Sequence, residues 1–305
     1  MQHMKISIIG LGEIGSALMH VLSSQNNVVV TGWDKNASKR PEQLTLEKSL
    51  VEADLIFVCV PSWNLRGALM SIVPHIQPTV GIIALAKGIE KESHKFVDQL
   101  LEEQLPKYHI GVLGGPMLAE EMLANKITSG VIASRSSDLR SQVKTAFQGS
   151  TLRIFKSTDI RGTALCGVLK NTYTLGIGIA EGLGLGENAK GALFSQALRE
   201  MQMIAKQCGG KQDTILGLAG AGDFFATCQS PHSRNRMIGI TLATGADGHL
   251  ESEGFMSLTC LRGLLDITNK NLPLLDCLIK IGHERANPRL LEQVMFDQAK
   301  PLLMA

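Results

Sequence analysis

Short apolar runs separated by helical segments fill the first half of the chain. The predicted strands lie at Ile6–Ile9, Asn27–Trp33, Ala53–Val60, Val80–Leu85, His109–Leu113, Gly130–Ser134 and Leu152–Phe155. Several of these runs are continuously apolar, which is typical of parallel strands buried on both faces of a sheet. The alternation therefore predicts an α/β domain in which helices cover a largely parallel sheet.

Helical periodicity replaces this alternation from Asp159 onward. A buried helix is expected over Thr163–Ala180, because Lys170 in its middle and the polar and glycine interruptions around it disfavour a membrane span. The glycine-dense stretch Gly176–Gly186 predicts a junction, and a further apolar helix is expected over Ala189–Gln207. The second half of the chain is therefore predicted to be all helical.

Length and composition fit two folded domains. The 305 residues are 44% hydrophobic, which is enough to bury a sizeable core. We place the domain boundary near Thr158, with the sheet in residues 1–157 and the helical domain in residues 158–305. The 30 Lys and Arg residues against 28 Asp and Glu residues give a net charge of +2, so nothing indicates a nucleic-acid partner or insertion into a membrane.

The cysteines and the N-terminus indicate the cellular compartment. The six cysteines are Cys59, Cys166, Cys208, Cys228, Cys260 and Cys277. Because no C-x-x-C pair occurs among them, we expect reduced core residues and no metal site. The chain enters its first strand directly after Lys5, without the apolar region and cleavage site of a secretory signal, which predicts a cytoplasmic protein.

The first predicted strand leads into glycines with the spacing G-x-G-x-x-G. Gly10 permits a tight turn, Gly12 lets a pyrophosphate approach the backbone, and Gly15 allows the next helix to pack closely on the strand. Asp34 follows the second strand, where a carboxylate accepts hydrogen bonds from the adenosine ribose. Such glycines also form ordinary turns, and Asp34 could be a solvated turn residue. The full order of elements nevertheless predicts a Rossmann-type doubly wound domain that binds a dinucleotide.

Lys170 is the most informative residue of the second half. It lies in the apolar stretch Ala164–Thr172, where burial would lower the pKa of its ammonium towards the range that suits proton transfer. Asp223 follows the glycine-rich stretch Gly217–Gly222 and is a plausible partner for this lysine. From position alone other interpretations stay open: Lys170 could reach the surface or simply pair with a carboxylate, and Asp223 could cap a helix.

A third candidate is the basic loop Ser230–Arg236, which precedes the apolar segment Met237–Leu242. Its arginines, asparagine and hydroxyls suit the binding of a phosphate through several donors. The same composition equally fits the solvated start of a basic helix. His232 in this loop is not expected to take part, because a lone exposed histidine is more often incidental.

A series of motifs extends from the glycine fingerprint to the basic loop. These motifs are Gly10–Gly15, Lys87–Glu90, Gly115–Glu121, Val168–Asn171, Gly182–Lys190, Gly217–Asp223 and Ser233–Arg236. In this order they resemble the NAD(P)-dependent glycerol-3-phosphate dehydrogenase family over most of the chain to about Glu253. The last three are far more specific to that family than the glycine fingerprint.

The resemblance implies a role for each matching residue. The implied catalytic residues are Lys170 as acid-base residue, Lys87 where nicotinamide and substrate meet, and Asp223 as support for the lysines. The implied substrate-binding residues are Lys87, Gly115, Lys170, Asn171, Asp223, Ser233, Arg234 near the phosphate, and Asn235. The implied cofactor-binding residues are Gly10, Gly12, Glu13, Ile14, Gly15, Asp34, Lys87, Ala119, Arg234 and Glu253.

Departures from the family pattern bear on specificity. Met117 replaces a small hydroxyl residue, which removes a hydrogen bond to the substrate. Glu13 and Ile14 replace a hydroxyl residue and an aromatic, which places a negative charge near the pyrophosphate. The short segment after Asp34 predicts a more open pocket. Trp33 stands where a basic residue often precedes the aspartate, so NAD is favoured over NADP because Asp34 would repel a 2′-phosphate.

The predicted function is an oxidoreductase that transfers a hydride between NAD(H) and the pair sn-glycerol 3-phosphate and dihydroxyacetone phosphate, in glycerol-3-phosphate metabolism and phospholipid biosynthesis. Two alternatives stay open. One is a related 2-hydroxy-acid or 6-phosphogluconate-type dehydrogenase, and the other is a sensor that binds NAD(H) without turnover. The predicted partner is a phosphorylated small molecule. Apolar helices in the second half suggest a homodimer, although a buried core explains them equally well.

Overall fold

A seven-stranded sheet forms the first half of the protein, as seen in a computed structural model that describes residues 3–246, 250–265 and 272–297. The strands are β1 (Met4–Ile9), β2 (Val28–Trp33), β3 (Leu55–Val58), β4 (Gly81–Ala84), β5 (His109–Gly114), β6 (Thr128–Ala133) and β7 (Leu152–Ser157). Their order is β2-β1-β3-β4-β5-β6-β7, and neighbouring strands are parallel except for the antiparallel pair β5 and β6. The predicted apolar runs correspond to these strands, although their ends differ.

Helices cover both faces of this sheet. They are α1 (Glu13–Ser23), α2 (Leu46–Leu50), α3 (Ser62–Ile72), α4 (Val97–Gln104), α5 (Ala119–Leu123) and α6 (Ser137–Ala146). One face buries Leu18 and Leu22 of α1 against β-strand residues, and the other buries Leu65 and Leu69 of α3. This arrangement confirms the predicted doubly wound class, and it aligns the carboxyl ends of β1, β2 and β3, since Ile9 pairs with both Trp33 and Val58.

After β7 the described residues form helices joined by loops, and no strand lies among them. The helices are α7 (Ile160–Gly182), α8 (Gly186–Gln207), α9 (Gln212–Leu216), α10 (Asp223–Gln229), α11 (Arg234–Thr244), α12 (Glu253–Leu264), α13 (Pro273–His283) and α14 (Leu290–Asp297). A π-helical turn, Leu218–Gly222, precedes α10. Among these described helices, none has the length and apolarity needed to cross a membrane.

Helix α7 is the centre of the helical half. It is buried along nearly its whole length and packs against β5, α8, α10, α11 and α12. The glycine-dense stretch Gly176–Gly186 contains the predicted junction, between the end of α7 at Gly182 and the start of α8 at Gly186, but its first half lies within α7. The reason is close packing: a Cβ on Gly178 would lie 3.0 Å from the Cα of Gly239 in α11. These glycines therefore let two helices approach closely.

Candidate active site

A cleft of about 800 Å³ lies where the carboxyl ends of the first strands face the helical half. Ligands of open α/β sheets bind at such strand ends. Most predicted site residues line it: Gly10, Gly12, Glu13, Ile14, Asp34, Lys87, Ala119, Lys170, Asn171, Asp223, Ser233, Arg234, Asn235 and Glu253. Gly15 and Gly115 are the exceptions. Both are buried behind the wall, and Gly115 has a φ of +109° and packs against the backbone of β6.

The glycine fingerprint shapes one end of the cleft. Gly10 has a φ of +94°, and a Cβ there would lie 2.8 Å from the carbonyl oxygen of Cys59. A Cβ on Gly15 would clash with the carbonyl oxygen of Gly10, so this glycine serves the packing of α1 on β1. No described atom would lie within 4 Å of a Cβ on Gly12, and no described side chain caps α1 there. The N–H groups at the start of α1 are therefore accessible to an anion.

Asp34 lies beside this helix start, at the end of β2. Its carboxylate is buried and accepts hydrogen bonds from the N–H of Leu11 at 2.7 Å and the N–H of Asn36 at 2.9 Å. Lys39 donates to the same carboxylate at 3.1 Å. Burial raises the pKa of Asp34, but these three donors together hold that pKa below its ordinary value. Asp34 is therefore an ionised acceptor and not a solvated turn residue.

Two lysines share one buried carboxylate at the floor of the cleft. Asp223, at the start of α10, is 1% exposed. It accepts from Lys87 at 2.7 Å, on the loop after β4, and from Lys170 at 3.1 Å, in α7. Lys170 also donates to the hydroxyl of Thr227 at 2.7 Å. Lys170 is thus buried and paired and does not reach the surface.

Burial sets the acidity of this cluster. Desolvation and the nearby charge of Lys87 outweigh the attraction of Asp223 and lower the pKa of Lys170 to about 8. Burial raises the pKa of Asp223, but the two ammonium groups hold it below its ordinary value. An ionised aspartate therefore stands beside a lysine that can gain or lose a proton near neutral pH.

Two residues of the helical half fix the backbone around Lys87, which lies in the sheet half. The carboxylate of Glu253, at the start of α12, accepts from the N–H of Lys87 at 3.1 Å and from the N–H of Ser62 at 2.9 Å. The amide of Asn171 donates to the carbonyl oxygen of Lys87 at 3.3 Å. Glu253, predicted to line the cofactor site, therefore also holds the loop that carries Lys87.

The basic loop forms the opposite wall of the cleft. The hydroxyl of Ser233 caps α11 by accepting from the N–H of Arg236 at 3.3 Å, and Asn235 accepts from the N–H of Gly254 at 3.2 Å. Arg234, the first residue of α11, is exposed at the mouth and donates to the carboxylate of Glu13 at 2.8 Å. Glu13 therefore points across the cleft to the helical half.

Two further residues that line the cleft are Met117 and Thr227. Met117 lines the cleft but is only 5% exposed, and its sulfur packs against Gly130 of β6. Thr227 was not predicted, although it contacts Lys170 directly. The sequence could have indicated this role, because Thr227 follows Asp223 by four positions, which places both side chains on one face of α10.

The cysteines and acidic residues give no metal centre in the part of the chain that the structure describes. Within those ranges, no group of three or more His, Cys, Asp or Glu side chains could hold a metal ion. Five of the six cysteines are buried and Cys208 is partly exposed, as expected for core residues. The polar groups that converge on the cleft are instead lysines, carboxylates, an amide and hydroxyls.

The fold and the cleft define a two-part dinucleotide-binding protein with a lysine-carboxylate centre. Comparison with known proteins gives the family. The profile described as NAD-dependent glycerol-3-phosphate dehydrogenase N-terminus matches residues 40–140, and that described as NAD-dependent glycerol-3-phosphate dehydrogenase C-terminus matches residues 159–293. The chain belongs to the NAD-dependent glycerol-3-phosphate dehydrogenase family, as the motifs predicted.

Relatives and solved structures agree with this assignment. A glycerol-3-phosphate dehydrogenase [NAD(P)+] of Acinetobacter baumannii (strain SDF) is 33% identical over 314 residues, covering 93% of this chain and 87% of the relative. Its counterpart from Pseudomonas syringae pv. tomato is 38% identical over 264 residues, covering 79% and 76%. The crystal structure of glycerol-3-phosphate dehydrogenase from Coxiella burnetii superposes with a TM-score of 0.85 at 28% identity and covers 99% of both chains.

Proposed function

We propose that this protein catalyses the NAD-linked interconversion of sn-glycerol 3-phosphate and dihydroxyacetone phosphate. The observation that carries the proposal is the cluster of Lys87, Asp223 and Lys170 at the floor of the dinucleotide cleft. Its lysines come from the sheet half and from the helical half, so the centre forms only when both halves pack together. Family membership supports the substrate pair, and the geometry supports the residue roles proposed below.

The residues at the sheet end of the cleft fit a dinucleotide. The accessible start of α1 after Gly12 suits a pyrophosphate, and the ionised carboxylate of Asp34 suits the hydroxyls of a ribose. A dinucleotide held by these residues would supply the acceptor for a hydride from carbon two of the substrate, or its donor in the reverse direction. Ala119 and Glu253 line the same cleft.

Lys170 is the proposed acid-base catalyst. In the direction of oxidation, the neutral amine takes the proton from the hydroxyl on carbon two while the carbon–hydrogen bond breaks. In the direction of reduction, the ammonium returns a proton to the carbonyl oxygen as the new carbon–hydrogen bond forms. A pKa of about 8 leaves both forms populated near neutral pH.

Lys87 and Asp223 are proposed to stabilise the charge that develops during this transfer. The ammonium groups of Lys87 and Lys170 both pair with the carboxylate of Asp223. Lys87 can therefore contact the substrate oxygen as negative charge develops there. Asp223 holds both lysines in place. The amide of Asn171 fixes the backbone of Lys87 and thereby its side chain.

The wall formed by the start of α11 is proposed to hold the substrate phosphate. Arg234 presents a guanidinium at the mouth, and Ser233 and Asn235 lie behind it. A guanidinium at a helix N-terminus combines fork-like donors with the positive end of the helix dipole. Gly115 lies behind the cleft wall and would act through the shape of the wall.

The deciding experiment measures NADH oxidation with dihydroxyacetone phosphate, beside NADPH, unphosphorylated dihydroxyacetone and a panel of 2-keto acids. Phosphate-dependent turnover with NADH is expected. Activity on a 2-keto acid alone would favour a related dehydrogenase, and tight NADH binding without turnover on any of these compounds would favour a sensor.

Lys170→Ala tests the catalytic assignment. We expect turnover to fall about 10³-fold, because general acid-base catalysis contributes roughly that factor. NADH affinity should stay within twofold, since Lys170 lies at the substrate end of the cleft. Lys206→Ala, at an exposed position of α8, is the matched control and should change neither quantity. Retained turnover in Lys170→Ala would remove Lys170 from this role.

The domain division, the assembly and the location complete the proposal. The last strand ends at Ser157 and α7 begins at Ile160, which supports domains of residues 1–157 and 158–305. Exposed apolar side chains on the helical half, such as Phe225 and Leu216, support a homodimer. The phosphorylated substrate supports a cytoplasmic enzyme of glycerol-3-phosphate metabolism that feeds phospholipid biosynthesis.

A further inference from the structure

The loop after β2 holds a lysine against the carboxylate at the adenosine end of the cleft. Gln43 fixes the start of this loop, because its amide accepts from the N–H of Asp34 at 2.8 Å and donates to the carbonyl oxygen of Asp34 at 2.7 Å. Asn36 continues the turn by donating to Asp34. Lys39 follows in a short 3₁₀ turn, Ala37–Lys39, and both Lys39 and Asp34 line the cleft.

The hydrogen bonds of Asp34 leave limited room for a ligand. A carboxylate offers about four acceptor positions. Leu11 and Lys39 donate to Oδ2, and Asn36 donates to Oδ1, so about one position stays open. Two of these donors are backbone groups fixed by the fold. The side chain of Lys39 is 42% exposed, whereas that of Asp34 is 7% exposed, so the lysine is the partner that can move.

The two forms of the dinucleotide make opposite demands on this pair. A ribose 2′-hydroxyl donates to the carboxylate, takes the open position and needs no cation. A 2′-phosphate carries close to two negative charges and would lie beside an ionised, buried aspartate. It requires a cation next to Asp34, and Trp33 does not supply one.

We propose that Lys39 is the residue that sets the discrimination of this enzyme between NADH and NADPH. Its ammonium offsets the charge of Asp34 and donates to a 2′-phosphate, so NADPH is admitted although NADH is preferred. The cation thus comes from the loop and not from the position before the aspartate. This inference rests on the proposed function, because it concerns the same cofactor site.

The test is equilibrium binding of NADH and NADPH, followed by the quenching of protein fluorescence, together with binding of the fragments 5′-AMP and 2′,5′-ADP. In Lys39→Gln the dissociation constants of NADPH and 2′,5′-ADP should rise about tenfold, the size of one lost charge-assisted hydrogen bond at a partly exposed site. Those of NADH and 5′-AMP should stay within twofold. Lys39→Arg, which keeps the charge, should restore NADPH binding.

Two matched variants remove the same charge elsewhere. Lys48→Gln, exposed in α2, should weaken both dinucleotides equally and slightly. Lys35→Gln, at the same end of the cleft, should affect NADPH less than Lys39→Gln does. An equal effect of Lys39→Gln on NADH and NADPH, no effect on either, or a larger effect of Lys35→Gln would overturn the inference.

The outcomes for the two proposals are separable. If the wild-type protein binds NADH and reduces dihydroxyacetone phosphate, but Lys39→Gln shows no selective loss of NADPH binding, the proposed function stands and the role of Lys39 is ruled out. If the wild-type protein binds dinucleotides but reduces no phosphorylated ketone, and Lys39→Gln selectively loses NADPH binding, the role of Lys39 stands and the proposed substrate is ruled out. Absence of dinucleotide binding removes both.

Discussion

The neighbours of Lys170 have opposite effects on the pKa of its ammonium, and its proposed chemistry depends on their balance. Burial and the charge of Lys87 favour the neutral amine, whereas Asp223 and Thr227 favour the ammonium by accepting its hydrogen bonds. The resulting pKa of about 8 is a balance that a single neighbour can shift. The pH dependence of the reaction therefore reports on these contacts.

The two reaction directions should show opposite pH profiles. Oxidation of glycerol 3-phosphate needs the neutral amine, so its kcat/KM should rise with pH and level off above about 8, while that of reduction should fall above about 8. Thr227→Val removes an acceptor of the ammonium, so both midpoints should move to lower pH. Thr241→Val, on the exposed side of α11, should leave them in place. Unchanged midpoints in an active Thr227→Val protein would show that this hydroxyl does not tune Lys170.

At the scale of elements, hydrophobic patterning predicted the sheet because its inner strands β3 and β4 bury both faces. The runs at Ile6–Ile9 and His109–Leu113 are mostly apolar, so each predicts a strand from its own residues alone. In the stretch Gly176–Gly186 only the end, between α7 and α8, is the predicted junction, because glycine favours both chain turns and close helix contacts. Its partner Gly239 is distant in the sequence, so nothing local distinguishes the two. A strand can be predicted from the hydrophobic pattern of one segment. A close contact between two helices cannot, because it depends on residues far apart in the sequence.

The crossing of α7 and α11 should not tolerate a methyl group. In Gly178→Ala the new Cβ would lie 3.0 Å from the Cα of Gly239 and 2.9 Å from the carbonyl carbon of Arg236, so we expect a loss of about 1–3 kcal/mol in the free energy of unfolding. Urea denaturation measures it. Gly191→Ala in α8 is the matched control.

A Cβ on Gly191 would meet nothing within 4 Å in the part of the chain that the structure describes, so that variant should be neutral or up to about 1 kcal/mol more stable. Equal stability of Gly178→Ala and Gly191→Ala would contradict the close crossing. Because α11 begins at Arg234, a shift of this helix should also raise the KM for the phosphorylated substrate.

At the scale of the whole molecule, the candidate active site forms only when distant parts of the chain pack together. Lys87 follows β4, Lys170 lies in α7, and Asp223 starts α10, yet all three meet within hydrogen-bonding distance. The sequence alone left Lys170 and Asp223 open to other interpretations, because no spacing rule joins such distant positions. The resemblance to a family supplied that link, and the packing of the two halves explains it physically.

The pair of Glu13 and Arg234 spans the mouth between the halves. Both side chains are largely exposed, at 76% and 74%, so the pair is weak and screened by salt. The substrate phosphate should compete with Glu13 for this guanidinium. Glu13→Gln is therefore expected to lower the KM for dihydroxyacetone phosphate about two- to fivefold at low salt, with a smaller difference at high salt.

Arg234→Gln provides the test of this competition. It should raise that KM, and Glu13→Gln should have no further effect in its background. Glu121→Gln removes a carboxylate that pairs with Lys126 outside the cleft and should leave the KM unchanged. A drop in KM upon Glu13→Gln that persists without Arg234 would point to general electrostatic repulsion and not to the pair.

The burial of α7 also bears on how this protein could evolve. A helix enclosed on nearly all sides, which carries the proposed acid-base lysine and crosses α11 through glycines, offers few positions that accept a new side chain without loss of stability. The mouth of the cleft, where Trp63 and Arg234 are exposed, has many positions that accept a new side chain. Descendants of this chain that acquire new substrates should therefore diverge at the rim of the cleft while its floor keeps the ancestral chemistry.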